Sequence, residues 1–169
     1  MGICIVLILV IVSFIYNIAK KNRIKLNILM ALIPIILISI SSFYNYNQTR
    51  NECETVINII NFITLILALI VTIIAILYIT KSRKEKKATK SFLLIGVVLI
   101  FIGILISIAQ PTPVVSATTV MHFTDEYIEP IGDFELYMKN ISIELLFLLE
   151  TNLFVSLISN NQKEEKNGE

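Results

Sequence analysis

Four long apolar runs, separated by short polar stretches, make up the first two thirds of the chain, and a fifth run of mixed character follows. Residues Gly2–Ala19 contain no charged side chain, and neither do 26–44, 56–80 or 91–110. A helix needs about 20 apolar residues to cross a hydrocarbon layer roughly 30 Å thick. The run 56–80 is longer than that, so tilt is expected. The fifth run, 141–159, has the length but also holds Glu144, Glu150 and Asn152. At 100° per residue Glu150 falls among Leu146, Phe147, Leu153, Phe154 and Leu157, which is no clean amphipathic pattern. A helix lying on the membrane surface would gather its polar residues on one face and carry Lys or Arg there, and this one does not. The expected fold is an all-α polytopic integral membrane helical bundle of five transmembrane helices, with four plus one peripheral helix as the alternative. The expected segments are a four-helix transmembrane region at 1–110, an acidic extracytoplasmic loop at 111–140, a fifth helix at 141–159 and a polar cytosolic tail at 160–169.

Composition agrees with that class. Hydrophobic residues make up 56% of the chain and charged ones 16%, whereas a soluble domain is about 25% charged. Richness in Ile, Asn and Lys points to an AT-rich, bacterial genome. The first run begins directly after Met1 with no basic n-region and no small-residue cleavage site, so it is read as a retained anchor. Val6 stands where myristoylation would need Ser or Thr.

The net charge of +1 decides little, but its distribution orients the bundle. Lys20, Lys21, Arg23 and Lys25 follow the first run. Lys81, Arg83, Lys84, Lys86, Lys87 and Lys90 sit between the third and fourth, and Lys163 and Lys166 follow the fifth. With the N-terminus outside and five crossings, every basic residue except Arg50 and Lys139 lies on the cytosolic side, as the positive-inside rule requires. The basic stretch 81–90 is too short and too near two spans to bind nucleic acid, and is read as a contact for anionic headgroups. The reading is a multi-pass protein of the bacterial plasma membrane with a cytosolic C-terminus.

Polar residues in the apolar runs are the candidates for chemistry. Glu144 and Glu150 stand out, because a carboxylate in hydrocarbon faces the bundle, a partner or a water path, or is protonated. Against this stands an interfacial placement, with Glu144 only a few residues from the outer boundary. Asn58 and Asn61 lie one turn apart in the third run and suit interhelical hydrogen bonding. Pro34 is expected to kink the second helix. Gly96 and Gly103, seven residues apart, share a face on which a neighbouring helix can approach closely.

The loop before the fifth run carries Asp125, Glu126, Glu129, Asp133 and Glu135, an acidic surface suited to contact with a cationic peptide or another membrane protein. These acids lack the EF-hand spacing, and His122 is the chain's one histidine, so no metal site is expected. In the five-span topology Cys4 and Cys53 both lie outside, where a disulfide can form; the competing reading buries Cys4 as a small apolar residue. The signatures His-Glu-x-x-His, Gly-x-Ser-x-Gly and the phosphate-binding Gly-rich loop are missing. No catalytic residue and no cofactor is therefore assigned. The functional expectation is a small non-enzymatic membrane protein, accessory or of the immunity or exclusion type, that works through the acidic loop. The alternative is a transport or ion-coupling component built on Glu150, as an oligomer.

Overall fold

The structure is a computed structural model that describes residues 2–20, 23–47, 50–81, 87–110 and 134–167. Five helices account for nearly all of them: α1 (Gly2–Ala19), α2 (Ile24–Asn47), α3 (Arg50–Lys81), α4 (Lys87–Ala109) and α5 (Phe134–Asn167). The fold is all-α. Apolar side chains along each run leave the backbone no polar partner but itself, and an α-helix satisfies every internal amide and carbonyl within one segment. Four helices have stretches long and apolar enough to cross a membrane: Ile24–Asn45, Glu52–Thr80, Ser91–Ala109 and Glu135–Ser159. The apolar part of α1, Ile3–Ala19, is shorter.

Helix α5 sits at the centre. It touches each of the other four helices, while α1, α2, α3 and α4 otherwise touch only their neighbours in chain order. They form a wall that wraps α5 and stays open between α1 and α4. No described side chain of α5 between 135 and 159 is exposed. Among the described residues every exposed large hydrophobic side chain belongs to α1–α4, Ile8, Phe43, Phe62 and Phe92 among them. An apolar exterior around a polar-bearing interior inverts the soluble pattern and suits helices surrounded by lipid.

Contacts give each helix its direction. Asn61, Thr64 and Thr72 of α3 meet Asn140, Glu144 and Glu150 of α5 in the same order, so the two helices run parallel. Helix α1 is also parallel to α5, since Ser13 and Asn17 meet Asn152 and Ser156. Helices α2 and α4 run the other way: Ser42, late in α2, bonds Tyr137 at the start of α5, and Lys139 donates to the carbonyls of Ile108 and Gln110 at the end of α4. The bundle is thus strictly up-and-down.

The apolar core lies where α3, α4 and α5 meet, with Ala68, Val71 and Ala75 against Val97, Ile104, Ile143, Phe147 and Phe154. Alanines on α3 bring the two backbones close. On α4 the approach is tightest at Gly96, where a Cβ would stand 3.1 Å from Leu153 Cδ1. Gly103, expected to share that role, has nothing within 4 Å of its Cβ position. Pro34 is buried inside α2, which continues through it. Helix α5 begins at Phe134 and runs to Asn167. It therefore extends beyond the expected 141–159 at both ends and takes in the end of the loop and most of the tail. Arg23 adopts a left-handed φ of 35° at the turn that leads into α2.

Candidate functional site

Polar side chains in the bundle converge on α5. Along α3, Asn61, Thr64, Ala68, Val71, Thr72 and Ala75 are all buried, a stripe at helical spacing that faces inward. Its polar members each find a partner on α5. Asn140 Nδ2 donates to Asn61 Oδ1 at 2.8 Å, the Thr64 hydroxyl lies against Glu144 Oε1, and the Thr72 hydroxyl donates to Glu150 Oε1 at 2.7 Å. Both glutamates are 0% exposed. Each uses one carboxylate oxygen in this way, and the second oxygen of each is buried without a partner.

A second group of polar residues joins α1 to α5. Asn17 Nδ2 donates to the Asn152 carbonyl at 2.9 Å, and the Ser156 hydroxyl donates to Asn17 Oδ1 at 2.6 Å. Asn152 Nδ2 reaches the Ser13 hydroxyl at 3.2 Å. At the opposite end of α5, Tyr137 bonds Ser42.

Taken along α5, these contacts form two polar stretches. One runs from Tyr137 through Asn140 to Glu144, and the other from Glu150 through Asn152 to Ser156. Between the two carboxylates lie six residues' rise, roughly 9 Å, filled by apolar side chains of which Phe147 is 1% exposed. Each carboxylate closes one stretch at the apolar layer. In a low-dielectric interior an unpaired polar oxygen costs about 1–3 kcal/mol, so these two oxygens, with the Oδ1 atoms of Asn27, Asn140 and Asn152 that are buried in the same way, are places where the bundle is poorly satisfied.

The sequence candidates fare unevenly. Glu144 and Glu150 are both buried inside the bundle. Asn61 is buried and bonded across helices, whereas Asn58, one turn away, is exposed. Cys4 and Cys53 are free thiols, so the bridge open to them in the five-span topology is not formed. Cys4 is exposed on α1, and Cys53 is buried on α3 with its thiol donating to the Tyr44 carbonyl at 3.2 Å. Helices α1 and α3 do not touch, which keeps the two sulfurs apart. Of the acidic cluster, Asp125, Glu126, Glu129 and Asp133 lie outside the described residues, and Glu135 is half-buried in the first turn of α5. Among the described residues no three His, Cys, Asp or Glu side chains come together as a metal site.

Thr64, Thr72, Asn140, Asn17 and Ser156 are not among the sequence candidates, although each is an interhelical partner. Threonine and serine read as ordinary members of an apolar run until a partner helix is known. Asn17 carried a usable signal, since with Ser13 it forms a polar pair one turn apart in an otherwise apolar helix.

Long apolar helices, an apolar exterior and a polar central helix define the class: a helical bundle with the build of a membrane protein. No family model, no curated protein and no solved structure matches the chain.

Proposed function

We propose that the chain is a non-enzymatic integral membrane component that takes up and passes on protons or small cations through the carboxylates of α5. The observation that carries this reading is the state of Glu144 and Glu150: both fully buried, each bonded to one threonine of α3, each with one oxygen unpartnered. Carboxylates inside membranes are expensive and mark ion paths and proton relays. A scaffold needs neither of them, because apolar side chains of the same size would hold the helices without the desolvation cost.

In the multi-pass cell-membrane topology with the N-terminus outside and the C-terminus cytosolic, α1, α3 and α5 run inward. Glu144 then belongs to the outer half and Glu150 to the cytosolic half, with the Phe147 layer between them. Contact of the acidic loop with a cationic peptide or a second membrane protein is the competing proposal, and it rests on the charge of Asp125, Glu126 and Glu129 alone.

Flux in liposomes tests the reading. With an interior pH dye, the wild-type chain is expected to dissipate an imposed proton or cation gradient, and Glu150→Gln to abolish the flux. Flux retained in Glu150→Gln, or absent from the wild type, overturns it.

A further inference from the structure

We propose that Asn61, Thr64, Asn140 and Glu144 form a binding site for one hard monovalent cation between α3 and α5. This deepens the ion-handling reading and rests on it. The four residues make a compact arrangement. Asn61 and Thr64 are one turn apart on α3, Asn140 and Glu144 one turn apart on α5, and each pair is cross-linked to the other. Side chains at i and i+4 lie on the same helix face, one above the other. All four are at most 4% exposed.

Two oxygens in this arrangement have no donor. Asn140 gives its amide N–H to Asn61, which leaves its Oδ1 as a buried acceptor without a partner. Glu144 Oε2 is in the same condition. Two unmet acceptors one turn apart are a place for positive charge. With the Thr64 hydroxyl and the second lone pair of Asn61 Oδ1, the donor set is all oxygen, which suits a hard cation and not a soft one. One carboxylate supplies one negative charge. A divalent ion would leave a net positive charge in a low-dielectric interior, at high cost, whereas a monovalent ion leaves the site neutral.

Hydrogen counting describes the ion-free site. The Thr64 hydroxyl has one proton and faces two acceptors, the Ile60 carbonyl at 3.0 Å and Glu144 Oε1. A protonated Glu144 can donate to Thr64 Oγ1 and leave the hydroxyl proton for the Ile60 carbonyl, so that each contact has a proton of its own. In this proposal the ion-free site holds the neutral acid. A cation M⁺ that enters turns Glu144-COOH into Glu144-COO⁻ with M⁺ bound, and one H⁺ leaves to solvent.

No other described titratable group intrudes. Lys139 turns to the α4 carbonyls, Tyr137 to Ser42, and Glu150 lies beyond Phe147. Glu135 is two turns up α5 from Glu144, and Glu54 is the nearest acid on α3, seven residues before Asn61. The apolar run of α4 contains no titratable side chain, and that of α2 holds Tyr44 alone, at its end.

The test is made on the purified full chain in detergent micelles, weakly buffered in choline chloride. NaCl, LiCl or KCl is added while a pH dye and the melting temperature are followed. At least one of these salts should release about one proton per chain and raise the melting temperature, and further choline chloride should do neither. Glu144→Gln should abolish the release, Asn140→Ala should weaken the apparent affinity at least tenfold, and Asn58→Ala, at an exposed position of α3, should leave it intact. Absence of release in the wild type, which would mean a site filled by water only, overturns the proposal. So does undiminished binding in Asn140→Ala, a variant that keeps the carboxyl and decides the matter if Glu144→Gln does not fold. Proton flux without cation binding rejects this site alone; cation binding with no flux rejects the transport reading and leaves the site.

Discussion

Asn17 is the residue on which the attachment of α1 turns. Of the described side chains of α1 only Val10 and Asn17 are buried, and the helix touches α2 and α5 alone. Asn17→Ala removes two buried interhelical hydrogen bonds, one to the Asn152 carbonyl and one from Ser156. In membranes such bonds contribute about 0.6 kcal/mol on average and up to about 1.7. The truncated amide also leaves a small void at a fully buried position. Together these give about 2 kcal/mol, roughly thirtyfold in an opening equilibrium. The loss should be local, because the apolar core lies between α3, α4 and α5 and involves no residue of α1. Hydrogen exchange of the micellar protein, read peptide by peptide by mass spectrometry, should show α1 opening about thirtyfold more often, with α3 and α5 unchanged. Tyr16→Ala is the control, since Tyr16 is the exposed neighbour of Asn17, and it should change nothing. Unaltered exchange in α1, an equal rise in α3, or the same effect from Tyr16→Ala would refute the reasoning.

Two further outcomes are expected. Gly96→Leu should destabilise the bundle by about 1–3 kcal/mol through overpacking against Leu153, with partial rescue by Leu153→Ala, whereas Gly103→Ala should be neutral or stabilise by up to about 1 kcal/mol; thermal or SDS-titration unfolding separates the two, and equal effects at both glycines would contradict the packing. A membrane-permeant maleimide should label exposed Cys4 in the native protein and buried Cys53 only after unfolding, with no dependence on reductant; native labelling of Cys53 at the rate of Cys4 would place it wrongly.

The helices are legible in the chain because uncharged apolar runs of bilayer length leave few alternatives. The role of the last helix is harder to read. Glu144, Glu150 and Asn152 point in different directions round α5, and from sequence that looks like an unresolved compromise between a span and a surface helix. It is instead what a helix enclosed on nearly every side requires, since it has no single outward face for its polar groups. The partners on α3 were hidden for a related reason. Thr64 and Thr72 differ from valine by one hydroxyl, and nothing local reveals that a carboxylate stands opposite. Gly96 and Gly103 share a spacing but not a neighbour, because the closeness of α4 to α5 varies along their length. The cysteine pairing failed on topology: being on the same side of a membrane does not bring two helices into contact.

The central position of α5 also has a consequence for biogenesis. This helix follows the four that surround it, so it is synthesised after them. At roughly 5–20 residues per second, the interval between the end of α3 and the end of α5 is on the order of ten seconds. Through that interval Asn17, Asn61, Thr64 and Thr72 have no α5 partner, and the wall of helices encloses nothing. The nascent chain must be held open, by lipid, water or an insertion factor, until α5 arrives to be enclosed.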